Sequence, residues 1–357
     1  MNTKSILSIT KQSQPLIIAG PCSAETEEQV LATAHQLKDV GVTIFRAGIW
    51  KPRTRPGSFE GVGQPGLGWL QRVQREIGLP VATEVANAAH VEQCLQHGID
   101  ALWVGARTTA NPFAVQEIAD ALKGVAIPVM VKNPVNPDVN LWLGAIERLE
   151  QAGIQQVSAI HRGISPLGTS VYRNNPAWDM PMTLKKMRPE LVLINDPSHI
   201  AGNRHLLAGI AEAALARDMD GLMIETHLQP ETAWSDAAQQ ITPQALKEML
   251  TKLKASHSGL PTNTAAELGH MRHSIDYIDE QLIELLSYRM QVAAEIGQYK
   301  MAHGLAVLQE ERWAELLDKH SRHALCRNLD KEFVTQLFDH IHQESVRKQQ
   351  GLLQRVS

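Results

Sequence analysis

The sequence predicts an α/β protein, a closed (β/α)8 barrel, followed by an all-α domain. Three observations predict it: eight short apolar runs in the first 230 or so residues, helical patterns between them, and a change of pattern after residue 264. Strand alternating with helix argues for a parallel sheet. Eight such units in about 240 residues favour a closed barrel over an open, doubly wound sheet.

The apolar runs come in this order. Pro15–Gly20 leads into Cys22, Val42–Phe45 into Arg46 and Lys51-Pro52-Arg53-Thr54, Pro80–Thr83 into Glu84, and Ala101–Val104 towards Arg107. Pro128–Val131 ends at Lys132, Val157–Ile160 at His161-Arg162, Leu191–Ile194 runs on to Asp196 and His199, and Gly221–Ile224 ends at Glu225. Helical patterns cover Glu27–Val40, Ala88–Gln96, Pro112–Leu122, Leu141–Ala152, Arg204–Arg217 and Thr242–Lys254. Gly163–Pro189 reads as a loop, and a loop of that length in a compact domain is expected to be functional. A barrel gathers the residues that follow its strands at one end, the end where such barrels carry out catalysis.

Ser256–Thr264 is small, polar and broken by Gly and Pro, and reads as a linker between domains at 1–255 and 265–357. Thr264-Ala265-Ala266-Glu267 is a capping box that opens a helix. Apolar residues then recur at Leu268, Met271, Ile275, Ile278, Leu282, Leu285, Val292 and Ile296. A stripe this long needs a partner helix, so a homodimer through this domain is expected. Two more helices are predicted, at about Leu308–His323 and Asp330–Gln354. The net charge of −4 gives no basic footprint for nucleic acid. No run is long and apolar enough to span a bilayer, and residues 1–15 hold no secretory signal. Three scattered cysteines fit a reducing cytoplasm.

Two residue sets at the barrel face carry chemistry. Cys22, His199, Glu225 and Asp236 offer one thiolate, one imidazole and two carboxylates, a mix suited to one divalent ion such as Mn, Fe, Co or Zn. Arg46, Lys51, Arg53, Arg107, Lys132 and Arg162 end or follow apolar strands, where positive charge needs an anion for company. Several guanidinium groups beside one metal point to a phosphate and a carboxylate. In the helical half Arg289 sits in phase with Leu282 and Ile296, a costly place for a charge that meets neither partner nor ligand. Lys300 shares its face within about 20°. Arg272 is about 100° off that face and better placed to reach a partner chain. Ser345 and Gln349 continue the apolar face of the last helix, and Arg312 lies on the stripe of Leu308 and Leu316.

Gly20-Pro21-Cys22-Ser23-Ala24-Glu25, Lys51-Pro52-Arg53-Thr54, Gly105-Ala106-Arg107, His161-Arg162-Gly163 and Asp196-Pro197-Ser198-His199 resemble the short-barrel, type I 3-deoxy-D-arabino-heptulosonate 7-phosphate (DAHP) synthases over about residues 15–255. The resemblance implies a TIM barrel that condenses phosphoenolpyruvate with erythrose 4-phosphate. It implies metal binding by Cys22, His199, Glu225 and Asp236. It places phosphoenolpyruvate on Arg107, Lys132 and Arg162, the sugar phosphate on Arg53 and Thr54, and Lys51 near the reacting carbons. Glu84 and Asp196 stand as proton or water handlers, or as structural supports. The related synthases that use arabinose 5-phosphate show Lys-Ala-Asn where this chain has Lys51-Pro52-Arg53-Thr54.

Met271-Arg272, Ile278-Asp279-Glu280, Arg289, Gly297, Lys300, Arg312 and Ser345 to Gln349 resemble the all-helical chorismate mutases over about residues 265–355. That resemblance implies conversion of chorismate to prephenate. Arg272 (from the other subunit), Arg289, Arg312 and Lys300 would bind the carboxylates and ether oxygen, with Ser345 and Gln349 completing the pocket. Gln309 and Trp313 stand where Asp and Glu are common, and those acids address the substrate hydroxyl. The alternative role for this domain is dimerisation or feedback sensing. Because the barrel starts near residue 15, no regulatory domain is expected before it, and allosteric feedback by chorismate or prephenate falls to the helical domain.

Overall fold

The structure is a computed structural model that describes residues 15–53, 57–166, 170–257, 263–308, 310–327 and 329–353; within its helices some side chains, mostly between 255 and 284, are not described. The chain divides into two compact units, Met1–His270 and Met271–Ser357.

In the first unit eight parallel strands close on themselves in sequence order. They are β1 (Leu16–Gly20), β2 (Ile44–Arg46), β3 (Val81–Val85), β4 (Ala101–Val104), β5 (Val129–Lys132), β6 (Val157–His161), β7 (Leu193–Asn195) and β8 (Gly221–Glu225). The seam runs from Leu16 opposite Gly221 to Gly20 opposite Glu225. The helices of this unit are α1 (Glu27–Lys38), α2 (Pro65–Arg72), α3 (Ala88–Gln96), α4 (Ala106–Thr109), α5 (Pro112–Ala121), α6 (Val139–Gln151), α7 (Asp179–Met187), α8 (Pro197–Ala201), α9 (Leu207–Leu215) and α10 (Pro243–His257).

Side chains alternate along a strand, so one parity fills the barrel. The buried cluster inside is Leu16, Ile18, Ile44, Ala82, Ala101, Trp103, Met130, Ile160, Ile194 and Met223. The same parity, continued two residues further, reaches Arg46, Glu84, Lys132, Arg162, Asp196 and Glu225, all buried at the C-terminal end of the strands. The apolar core and the charged mouth are therefore one set of positions. Trp103 is the boundary: its indole Nε1 donates to Glu84 (2.9 Å), and Arg46 and Lys132 lie over its ring at 4.7 and 5.9 Å.

Two expectations are corrected. Gly163–Pro189 is not all loop, because α7 occupies Asp179–Met187 and buries Met180, Pro181 and Leu184. Its prolines obscured the pattern, yet Pro181 stands in the first turn, where a missing N–H costs nothing. Helix α2, continued by a π turn at Val73–Ile77, was not expected. Gly66 and Gly68 hide it in the sequence; a Cβ at Gly66 would meet Ile49 Cδ1 at 2.7 Å, so the glycine lets the helix lie close.

The described part of the second unit is helical outside its short connections, with α12 (Glu310–Leu325), α13 (Lys331–Leu353) and all but the first eight residues of α11 (Asn263–Ala302). Rings stack between the last two helices, Trp313 on His342 and His320 on Phe338. A Cβ at Gly297 would lie 2.9 Å from Gln349 Cγ, so this glycine admits the close approach of α13 to α11.

Gly20 marks the tightest point of the barrel mouth. Its φ is +151°, and a Cβ there would lie 2.0 Å from the Arg46 carbonyl oxygen. Gly20→Ala is expected to destabilise the barrel by about 3 kcal/mol or more, read as a lowered midpoint of its urea transition.

Candidate active site

Above Trp103 the site is built from strand ends and the loops after them. Cys22 follows β1 and is fully buried. Its Sγ donates to Asp236 Oδ2 (3.0 Å) and accepts from Lys51 Nζ (3.0 Å). Its carbonyl accepts from Arg46 Nη2 (3.0 Å) and Lys51 Nζ (3.2 Å). Burial, then the Glu225 charge, pushes its thiol up to about 12. Ligand atoms of Cys22, Glu225 and Asp236 all lie within 4.8 Å of one another. His199 adjoins this group, its Nε2 3.7 Å from Glu225 Oε1.

Asp196 presents that histidine. It caps α8, accepting from the His199 N–H at Oδ1 (3.0 Å), and its Oδ2 lies 2.8 Å from His199 Nδ1 and 2.7 Å from Lys132 Nζ. Burial opposes the Asp196 charge, but His199 and Lys132 override it and hold the carboxyl well below the usual range. Glu225 and Asp236 are likewise held low against burial, Glu225 by His199 and Arg46 and Asp236 by Arg173 and Lys51. Asp236 sits in a left-handed conformation, φ 52°, which an aspartate tolerates better than most residues.

These residues fit a divalent cation. Three anionic or softly ligating side chains converge, an imidazole faces them, and Glu225 Oε1 is buried with no hydrogen-bond partner among the described residues, its nearest cation being Arg46 at 3.5 Å. A carboxylate oxygen left so is costly unless a cation takes it.

Beside the donor group lies a cavity of about 440 Å3. Lys51, Arg53, Arg107, Lys132, Arg162 and Arg173 line it, with Glu84, His199 and Asp236. Burial lowers the Arg162 guanidinium to about 10. Arg53 Nε donates to the Phe59 carbonyl (2.8 Å), and its Nη1 is 3.8 Å from Asp236. Thr54 lies outside the described residues. Arg46, expected among the substrate-binding cations, is instead 1% exposed and absent from the cavity wall. Its strand parity turns it inward, where Trp103, the Cys22 carbonyl and Glu225 (3.5 Å) receive its charge.

Three site residues escaped the sequence reading. Arg173 Nη1 donates to Asp236 Oδ1 (2.7 Å) and Gln239 Oε1 (2.6 Å), and Gln239 Nε2 donates to Glu225 Oε2 (2.6 Å). Asn174 accepts from Arg162 Nη1 (2.6 Å) and donates to the His199 carbonyl (2.6 Å). The loop before α7 thus ties the carboxylates to the cations. Its unusual length was the signal, but nothing in the sequence singled out these positions.

In the helical unit Arg289 Nη1 donates to Ser345 Oγ (2.5 Å) and the Ile341 carbonyl (3.5 Å). Ser345 and Gln349 are buried, and Gln349 packs on Gly297. Lys300 Nζ donates to the Val307 carbonyl (2.6 Å). Arg312 is exposed and pairs with Glu315 (2.9 Å). The Arg272 side chain and Gln309 lie outside the described residues.

Residues 2–260 match the model of the DAHP synthetase I family, and residues 271–350 that of chorismate mutase type II. A phospho-2-dehydro-3-deoxyheptonate aldolase of Thermotoga maritima is 31% identical over 238 residues, 67% of this chain and 68% of that one. A 2-dehydro-3-deoxyphosphooctonate aldolase of Legionella pneumophila is 27% identical over 264 residues, 67% of this chain and 90% of its own. The crystal structure of the Thermotoga maritima DAHP synthase is similar at TM-score 0.62 and 30% identity, over 68% of this chain and 69% of that chain. A truncated form of the synthase from the same organism gives 0.60 and 27%, over 68% and 87%.

His161 supplies a pH test of the barrel. It is buried, its Nε2 is 2.6 Å from the Pro176 carbonyl and its Nδ1 2.9 Å from Asn195 Nδ2. Burial lowers it from 6.5 to about 3. The unfolded chain therefore binds a proton that the folded one refuses, and stability falls as pH drops below 6.5. This residue's share of the slope is about 1.4 kcal/mol per pH unit. Urea titrations between pH 7 and 5 are expected to show that slope, and His161→Asn to flatten it.

Proposed function

Because the chain belongs to the DAHP synthetase I family and carries a chorismate mutase type II segment after it, we propose a bifunctional enzyme of aromatic amino acid biosynthesis, with a barrel at 1–255 and a helical domain at 265–357. The barrel condenses phosphoenolpyruvate with erythrose 4-phosphate, and the helical domain converts chorismate to prephenate. The observation that carries the first activity is the cation-lined cavity abutting a converging thiol, imidazole and carboxylate set.

Two phosphorylated reactants repel each other in water. Arg107, Lys132 and Arg162 take the phosphate and carboxylate of phosphoenolpyruvate, and Arg53 with Thr54 takes the sugar phosphate. Fixing both turns a bimolecular encounter into an oriented one. The enol carbon attacks the aldehyde, water adds to the resulting cationic carbon, and inorganic phosphate leaves. Lys51, 3.0 Å from the Cys22 sulfur, stands where charge develops. Cys22, His199, Glu225 and Asp236 would hold the divalent ion, which when bound supplies Lewis acidity to the aldehyde oxygen. Glu84 keeps its place as receiver of the Trp103 N–H.

The rearrangement is pericyclic and needs no nucleophile. It needs a compact conformer and positive charge near the breaking ether bond. Arg289, Lys300 and Gln349 suit that task. Ile275, Leu282, Leu285 and Ile296, the repeat along α11, are exposed in the single chain. A second copy covering that stripe would also bring Arg272 to the partner's pocket, so the homodimer belongs to the same reading.

Removing divalent ions with a chelator is expected to abolish the condensation and spare the rearrangement. Arg289→Ala should do the reverse, lowering chorismate turnover by at least about tenfold through loss of a charged contact. Loss of both activities in either case would break the two-site reading. Feedback belongs to it too: prephenate added to the full chain is expected to lower condensation, and Arg289→Ala to blunt that response. An equal response of the two proteins would refute feedback through this pocket.

A further inference from the structure

In the chorismate mutases that the helical unit resembles, acids address the substrate hydroxyl from the positions that Gln309 and Trp313 hold in this chain. Trp313 occupies the usual glutamate position, and the structure stacks it on His342 of α13, centroids 4.0 Å apart and planes 10° from parallel. The His342 Nε2 is buried and has no hydrogen-bond partner among the described residues, and Gln349 Oε1 is in the same condition. Seven helical residues turn the chain by about 700°, so His342 and Gln349 share a face within about 20°, about 10 Å apart along the axis. Between them on α13 stands Ser345, whose Oγ accepts from Arg289. Two unsatisfied polar atoms thus flank the guanidinium that the mutase reading assigns to the substrate. Leaving either unmet is costly.

We propose that the Trp313–His342 stack replaces the missing carboxylate: Trp313 fixes the imidazole plane, and His342 Nε2 accepts a hydrogen bond from the substrate's ring hydroxyl. The proposal rests on assigning the chorismate rearrangement to this unit. A neutral imidazole with its proton on Nδ1 is the required form. Its surroundings favour the neutral form: burial, Arg289 and Lys300 of α11 all lower His342 from 6.5, against Asp339 on its own helix, while α12 packs the uncharged Trp313 against it. A neutral acceptor also avoids setting a carboxylate against a dianionic substrate.

The test uses the full-length chain. His342→Phe keeps a flat ring on Trp313 and deletes the acceptor. Its kcat/KM for chorismate is expected to fall about tenfold, the worth of about one hydrogen bond, while condensation by the same preparation is unchanged. An analogue of chorismate lacking the hydroxyl should react about tenfold more slowly than chorismate with the wild type and equally fast with the variant. The wild-type kcat/KM should decline in acid as the imidazole takes a proton, and His342→Phe should lack that limb. His342→Gln, which restores an oxygen acceptor, should recover most of the rate without the acid limb; it decides the matter should the Phe variant lose condensation through misfolding. Unchanged kcat/KM in both variants, or hydroxyl discrimination that survives them, would overturn the proposal. Absence of rearrangement by the wild type would overturn the mutase assignment itself, and the proposal with it.

Discussion

Mutual neutralisation of charge inside a closed cylinder is the constraint on which the barrel depends. Strand parity that sends Ile18, Met130 and Met223 into the core also sends Arg46, Lys132, Asp196 and Glu225 into its mouth. An isolated buried charge would cost far more than a domain's net stability. The charges survive because each has an opposite: Arg46 with Glu225, Lys132 with Asp196, Arg173 with Asp236. Stability and chemistry draw on the same pairs. A change to one member takes a counter-charge from a partner that stays in the mouth, which is usually worse than losing both.

Legibility in the sequence follows the same division. The barrel was readable because apolar runs and their polar ends recur at short intervals, and every strand lies at or within two residues of its expected place. The convergence of Cys22, Glu225 and Asp236, with His199 beside them, was readable because they end or follow β1, β7 and β8, which closure makes neighbours. Arg46 was legible as a site residue but not in its role, since its inward turn and its seat on Trp103 depend on strand register. Arg173, Asn174 and Gln239 were not legible. They act by touching other side chains across long stretches of chain, and a polar residue in a loop looks the same whether it holds a carboxylate or faces water. Helices α2 and α7 were hidden by Gly and Pro, which local propensity counts against a helix even when packing outweighs them.

The helical unit was readable as a stripe with an interruption. Arg289 interrupts it, and Ser345 with the Ile341 carbonyl receives it. What periodicity could not supply was the aromatic wall: Trp313 and His342 lie on different helices, and their contact is a product of how α12 meets α13. The exposed repeat along α11 has the opposite character, plain in the sequence and unfulfilled within a single copy of the chain.

Trp103 carries a consequence of its own. One indole is at once the uppermost plug of the hydrophobic interior and the platform beneath two cations. Evolution therefore cannot treat the two duties separately at this position. A smaller residue would hollow the interior and unseat the cations together, and a larger one does not exist among the twenty. The floor beneath Arg46 and Lys132 is a ring already at the upper limit of side-chain size, so diversification in such a barrel is steered outward, to the loops around the rim.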